Sequence, residues 1–350
     1  MHVAAGKPYD VLIERGLIAQ SGEILKASLG RTCKAAILTD DTVDALYGAE
    51  AEGALKRSGF EVCRFAMPHG EENKNLTVWA SMLDFLAENR LTRSDVIVAL
   101  GGGVVGDMAG FAAASFLRGI RFMQIPTTLL AMVDSSVGGK TGLNLTAGKN
   151  LAGAFYQPCV VLCDPDALWT LKPEQLADGV AEVIKYGVLG NEELFELLKN
   201  GQWHDEMLSV IETCVTAKAR LVEEDERDTG SRQLLNLGHT LGHAIEKCSH
   251  FGISHGHAVA IGMVYAARLA GRMGLCGADV LKKIHDALQA NHLPVEAPYT
   301  PEELCEVALS DKKRMGGEIS FVLPRAIGRC ELVKIPVSGM MQIVNQAVKP

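Results

Sequence analysis

The sequence predicts an N-terminal α/β domain with a parallel sheet, followed by a mainly α-helical C-terminal domain. Three observations predict it. Short β-branched runs alternate with helical apolar spacing over the first half; a glycine-rich turn at 101–106 sits between a strand and a helix; and after about residue 165 helical periodicity dominates. At 350 residues, 48% hydrophobic and 22% charged, the chain has ordinary globular composition and the length of about two domains. The expected division is 1–165 and 166–350.

In the first domain AAILTD (35–40) reads as a strand and 42–59 as a helix stopped by Gly59. FEVCRFAM (60–67) is the next strand, 75–89 a helix, and DVIVALGGG (95–103) a strand running into glycines. Residues 106–117 form a helix of small residues, and RFMQIPTT (121–128) a strand that Pro126 ends. Strands apolar on both faces, such as VIVAL, are what a parallel sheet buries. In the second domain 174–189, 191–200, 206–224, 232–249, 255–273 and 279–291 carry helical periodicity. Strand-like runs return only at 319–324 and 330–336.

Composition excludes several classes. The net charge of −8 and the lack of any basic run argue against a nucleic-acid surface. Nine scattered cysteines without a CxxC pair fit reduced thiols in a cytoplasmic protein. Lys7, Pro8 and Asp10 interrupt the N-terminus before a signal-peptide core could form, and no run approaches the ~18 apolar residues of a membrane span. A soluble, cytoplasmic protein with no membrane partner is expected.

Gly101, Gly103 and Gly106 satisfy G-x-G-x-x-G between a strand and a helix, the context of a Rossmann-like dinucleotide site. Glycines there let backbone amides approach a pyrophosphate, and the helix N-terminus adds positive potential. The alternative is a tight strand–helix turn with no ligand. The ribose-binding acid expected about 20 residues downstream is missing, since no Asp or Glu occurs from 108 to 133. Asp40, Asp41 or Glu71 would have to supply it. A P-loop at GGKT (138–141) fails because its first glycine position is Asp134.

Residues 232–263 hold five of the ten histidines. His239 and His243 are four apart on a predicted helix, so both project from one face, and a second helix opens at His255 and His257. Converging imidazoles suggest a divalent metal; capped, partly solvated histidines are the alternative. Glu182 and Lys185 share a face of another helix, either as an i,i+3 surface pair or, given the apolar flanks Val180, Val183 and Ile184, as buried groups. A buried Glu182 would complete a His₂Glu set with open coordination positions. Arg118, Lys140, Lys149, Asn150, Lys218, Arg232 and the pair Lys312–Lys313, each alone an ordinary surface group, together suit a phosphorylated, carboxylated sugar.

The motifs GEENK (70–74), GGGVVGDMAGFAAASFLRGI (101–120), PTTLLAMVDSSVGGKTGLN (126–144), GKN (148–150), AEVIKYG (181–187), NLGHTLGHAIE (236–246) and HGHAVAIGM (255–263) closely resemble the 3-dehydroquinate synthases, a family of sugar-phosphate cyclases. The resemblance runs in order over nearly the whole chain. It implies conversion of 3-deoxy-D-arabino-heptulosonate 7-phosphate to 3-dehydroquinate and phosphate, in the shikimate pathway of aromatic amino acid biosynthesis, with NAD and zinc or cobalt as cofactors.

Carried over by position, the resemblance makes Glu182, His239 and His255 the metal ligands and turns His243 toward substrate. Lys140, Asn150, Lys185, Lys218, Arg232, Asn236 and at least one of Lys312 and Lys313 match substrate contacts, and Asp134 matches a polar residue near the reacting alcohol. Asp40, Gly70, Glu71, Lys74, Gly102, Gly103, Val104, Val105, Gly106, Asp107, Thr127, Thr128, Lys140, Lys149 and Thr170 match the NAD site. Arg118 resembles a residue that reaches the substrate phosphate from a neighbouring subunit, implying a homodimer. The chain departs from many relatives in carrying His257 where they carry Glu, which sets His250 and His257 beside His255 as rivals for the third ligand.

The implied reaction oxidises one substrate alcohol with NAD⁺, eliminates phosphate, reduces the ketone again, opens the ring and closes the carbocycle by an intramolecular aldol. A metal on the reacting oxygen suits the oxidation, and cationic side chains hold the anionic ends of the substrate. A metal-dependent polyol dehydrogenase, another sugar-phosphate cyclase and a catalytically inert NAD- or metal-binding regulator are the competing readings; the first would yield net NADH and the last would release no phosphate.

Overall fold

The protein is described from a computed structural model over residues 1–312 and 317–349. It divides into two compact units, Met1–Leu171 with Lys218–Arg227, and Lys172–Ala217 with Asp228–Pro350. The first unit extends past the sequence-based limit of 165 for a local reason. Asp164, which caps a 3₁₀ turn at Pro165–Thr170, also accepts from the Gly16 and Ile18 amides, both at 3.0 Å. Lys218–Arg227 joins the same unit through Lys218, 2.8 Å from Asp134, and through Glu223 and Glu226, which accept from the amides of Ala4 and Gly6.

The first unit contains β1 (His2–Val3), β2 (Tyr9–Ile13), α1 (Leu17–Leu29), β3 (Lys34–Asp40), α2 (Asp41–Val43), α3 (Ala49–Arg57), β4 (Glu61–Met67), α4 (Leu76–Glu88), β5 (Val96–Gly101), α5 (Gly103–Ser115), β6 (Arg121–Pro126), β7 (Lys140–Leu145), β8 (Gly148–Phe155) and β9 (Val160–Cys163). Seven strands form one sheet in the order β1-β2-β9-β6-β5-β3-β4, parallel except for the short β1. Every residue of β5 is buried, as the VIVAL run predicts for a central parallel strand. Parallel pairing brings the strand ends level, with Gly101 opposite Pro126, so the segments after β3, β5 and β6 leave from one carboxyl edge. Helix α5 packs Met108, Ala109, Ala112 and Ala113 against Leu38, Ile97 and Phe122.

The predicted helix 42–59 is realised in pieces, α2 and α3 flanking a π-turn at Asp44–Gly48. The antiparallel β7–β8 hairpin was not legible, because KTGLNL and GKNLAGAF mix glycine, asparagine and lysine into the strands.

The second unit is helical: α6 (Pro173–Gly190), α7 (Glu192–Leu198), the first part of α8 (Met207–Glu224), α9 (His239–Cys248), α10 (His255–Arg272), α11 (Ala278–Ala290), α12 (Pro301–Lys312) and α13 (Met340–Val348), with one hairpin of β10 (Glu318–Ala326) and β11 (Arg329–Pro336). The predicted single helix 232–249 is broken. A 3₁₀ turn at Ser231–Asn236 ends before Gly238, whose φ of 79° a side chain would strain, and α9 starts directly after it. Among the described residues no helix is long and apolar enough to cross a membrane.

Gly110 tests the α5 packing. A β-carbon there would lie 2.4 Å from Thr141 Cγ2, so Gly110→Ala is expected to destabilise the first unit by about 1–3 kcal/mol, measured as a lower urea midpoint.

Candidate metal centre and nucleotide loop

In the second unit three helices bring a carboxylate and two imidazoles together. α6 is buried from Gly179 to Val188, which takes Glu182 and Lys185 fully out of solvent. The i,i+3 pair is therefore an interior one, with Lys185 Nζ 2.5 Å from Glu182 Oε2. On the other side, His239 Nε2 is 3.5 Å and His255 Nε2 3.4 Å from Glu182 Oε1. The ligand atoms of Glu182, His239 and His255 all lie within 4.8 Å of one another.

Glycines make this convergence possible. A β-carbon on Gly256 would sit 2.2 Å from the Asp178 carbonyl oxygen, and one on Gly262 would sit 1.9 Å from that of Gly238. α10 thus lies against both α6 and the start of α9 at backbone contact distance. The imidazole nitrogens remote from Glu182 are held as well. His239 Nδ1 is 3.0 Å from the Leu237 carbonyl oxygen, and His255 Nδ1 is 3.3 Å from Glu246 Oε2.

Burial is the largest influence on both rings. In His239 it prevails and lowers the pKa to about 3, leaving a neutral ring. In His255 the Glu182 and Glu246 carboxylates outweigh it and raise the pKa to about 10. A divalent cation would take the place of that proton, and the donor set of two imidazoles and one carboxylate fits one.

The other histidines of the cluster are sorted by their partners. His243 is exposed, its ring centroid 5.4 Å from that of His239 and 5.9 Å from that of His255. His257 turns away to Asp178, which lies 2.8 Å from its Nδ1 and accepts from its amide at 3.0 Å. It does not enter the Glu182 set. Arg232 is fully buried and Asn236 closes the 3₁₀ turn before α9. Lys312 is the last residue of α12, and Lys313 lies outside the described residues.

The first unit holds the glycine-rich turn. Gly102 precedes α5, and no side chain caps that helix, so its first amides, at Gly103, Val104 and Val105, remain available to an anion. The loop is shaped for backbone approach: a β-carbon on Gly102 would come within 3.1 Å of Thr128, one on Gly103 within 3.1 Å of Ser135, and one on Gly106 within 2.9 Å of Gln124. Thr127 donates its amide to Gly101 at 3.0 Å, which ties the β5 and β6 ends, and its buried hydroxyl has no hydrogen-bond partner among the described residues. This cradle fits a dinucleotide phosphate.

Beside it runs a charged network. Gly70, with φ 106°, turns the chain into Glu71; Glu71 accepts from Asn144 at 2.8 Å and lies 3.6 Å from Lys149. Buried Lys74 donates to Asp107 at 2.6 Å and to Asn150 at 2.7 Å. Burial pushes the Asp107 carboxyl upward while the Lys74 ammonium opposes it. Asp40, at the end of β3, accepts from the Thr42 and Val43 amides, and Asp41 pairs with His69 at 2.7 Å. Asp134 accepts from Lys218 through its carbonyl at 2.6 Å and meets it again through the carboxylate. Thr170 meets the Tyr47 hydroxyl at 2.8 Å. Lys140 opens β7 at the surface. Arg118 is exposed, with φ 69°, between Leu117 and Gly119, which also have positive φ.

Glu246 and Asn144 are among the residues of these networks to which the sequence assigns no role. A carboxylate seven residues after His239 on the same helix face was the available signal for the first. Nothing local marked the second.

The pattern described as 3-dehydroquinate synthase N-terminal matches residues 64–178, and that described as 3-dehydroquinate synthase C-terminal matches 179–314. The chain belongs to the 3-dehydroquinate synthase family. Curated relatives of that name include one from Enterococcus faecalis, 41% identical over 97% of this chain and 96% of its own, and one from Caulobacter vibrioides, 45% identical over 94% and 92%. It is a family of phosphate-eliminating cyclases acting on a small phosphorylated sugar. A 2-epi-5-epi-valiolone synthase from Streptomyces hygroscopicus, solved with NAD⁺ and Zn²⁺, superposes with a TM-score of 0.88 at 28% identity, covering 96% of this chain and 95% of its own. A 2-deoxy-scyllo-inosose synthase, solved with carbaglucose-6-phosphate, NAD⁺ and Co²⁺, shares the fold with a TM-score of 0.89 at 24% identity, covering 99% of each chain.

Metal analysis of purified variants checks the centre. Glu182→Ala and His239→Ala are expected to lose bound metal and His243→Ala to keep it; equal loss in all three would make His243 a ligand. Gly256→Ala is expected to lose metal as well, because its methyl group must push α10 away from α6.

Proposed function

We propose that the chain converts 3-deoxy-D-arabino-heptulosonate 7-phosphate to 3-dehydroquinate and inorganic phosphate. The reading is carried by one observation: in a chain of this family, two imidazole Nε2 atoms and a fully buried carboxylate converge on one point. Glu182, His239 and His255 would hold zinc or cobalt, and the glycine turn with Thr127, Thr128, Glu71, Lys74, Asp107, Lys149, Thr170 and Asp40 would hold NAD. When bound, the cation polarises the substrate oxygen and NAD accepts and returns a hydride.

The protein's own groups do the remaining work. Lys185 stands against the second oxygen of the Glu182 carboxylate, while the first faces the two imidazoles. Arg232, buried and permanently charged, suits the substrate carboxylate, and Asn236 and His243 supply neighbouring polar contacts. Lys140, Asn150, Lys218 and one of Lys312 and Lys313 would fix the other oxygens. Lys218 also anchors Asp134, which fits a polar contact near the reacting alcohol. Holding a multiply anionic substrate in one orientation favours each successive step without a separate site for each. The leaving phosphate can accept the proton lost from carbon.

Arg118, exposed and held at positive φ beside Leu117 and Gly119, suits a contact to the phosphate of a substrate in a second copy of the chain. We infer a homodimer as the working unit. The net reaction transfers no hydride to solution, which separates it from a polyol dehydrogenase.

A phosphate-release assay with the named substrate tests the function. Release is expected with NAD⁺ and metal, to fall to background with a chelator, and to leave no net NADH absorbance. Accumulating NADH, or no phosphate, would overturn it. Arg118→Ala is expected to raise KM for the phosphorylated substrate; an unchanged KM would remove Arg118 from the phosphate site.

A further inference from the structure

We propose that Glu246 is a positioning residue of the metal centre, holding His255 by Nδ1 so that its Nε2 is presented toward Glu182. The proposal rests on the reading that Glu182, His239 and His255 hold a divalent cation, and deepens it. Glu246 is 2% exposed and its Oε2 stands 3.3 Å from His255 Nδ1, while the opposite nitrogen of the same ring is 3.4 Å from Glu182. An imidazole with one nitrogen fixed as a donor has only the other free to ligate, so a carboxylate behind the ring sets both tautomer and direction.

The placement comes from helix geometry. Glu246 lies seven residues, about two turns, after His239 on α9, on the same face. α10 lies against that face closely enough that a β-carbon on Gly242 would come 3.1 Å from the Ala258 carbonyl oxygen. Glu246 therefore meets the first residue of α10, which is His255. The same helix supplies one ligand and orients the next. His239 is held differently, by the Leu237 carbonyl just before its own helix. A carboxylate is the stronger of the two acceptors and makes the ring it holds a more basic donor to a cation.

Ligand atoms of His243, Glu246 and His255 also lie within 4.8 Å of one another, so Glu246 could instead bind the cation itself. Titration of the metal-free protein with Co²⁺, in competition with a chromophoric chelator, separates the two roles. Glu246→Ala is expected to weaken cobalt binding by about 10–100-fold. Glu246→Gln, whose amide oxygen can still accept from Nδ1–H, is expected to recover most of that loss and to keep the visible absorption of the cobalt form, because the ligand set is unchanged. Should Glu246→Ala misfold, the Gln variant still decides. A shifted cobalt spectrum in Glu246→Gln would make Glu246 a ligand and overturn the proposal, as would unchanged affinity in Glu246→Ala. If the unaltered chain bound no cobalt, the functional reading itself would fall; tight binding there with an indifferent Glu246 overturns this inference alone.

Discussion

The second unit is organised around one carboxylate taken wholly out of water. Glu182 is fully buried, and an isolated ion in such a place would cost several kcal/mol. Lys185 on one side and two imidazoles on the other offset that cost, but they do so only if three helices hold their spacing. A buried pair of this kind is poor evidence for stability, since well-packed apolar residues would often do as well. Its presence on an otherwise apolar stretch of α6 is a sign of function.

That requirement explains features that packing alone would not select. Gly238, Gly256 and Gly262 forgo side chains where larger residues would bury more apolar surface, because backbone contact between helices is what brings the imidazoles within reach. Asp178 serves the same end from α6. It accepts from the His257 amide and takes the acceptor role at the start of α10 that Ser254 leaves unfilled. The departure at His257 thus fits the local structure: the ring pairs with the carboxylate that caps its helix.

In the first unit the constraint is the sheet edge. Parallel strands end level, so Asp40, Gly101 and Pro126 finish on the same side, and the loops that follow carry groups suited to a nucleotide. Lys74 is the node of the polar network beside them, linking the end of the Glu71 turn to α5 through Asp107 and to β8 through Asn150. A buried ammonium that donates to both side chains ties three separate segments together.

What the sequence by itself determined is the division into an α/β part and a helical part, most of their elements, and, through the family resemblance, Glu182, His239 and His255 as the expected metal set. Alternation and periodicity are local, and His239, His255 and Glu182 stand in motifs whose residue types already limit the chemistry. Rivalry among His250, His255 and His257 could not be resolved that way, because each is an imidazole near one turn. In the structure α6 places Asp178 beside His257, and α9 places Glu246 beside His255. Tertiary structure also decided that Glu182–Lys185 is an interior pair, that the helix through 232–249 breaks at Gly238, and that polar β7 and β8 form a hairpin. In each case the deciding partner lies far away in sequence, and burial, which sets the worth of a charge, is a property of the packed chain.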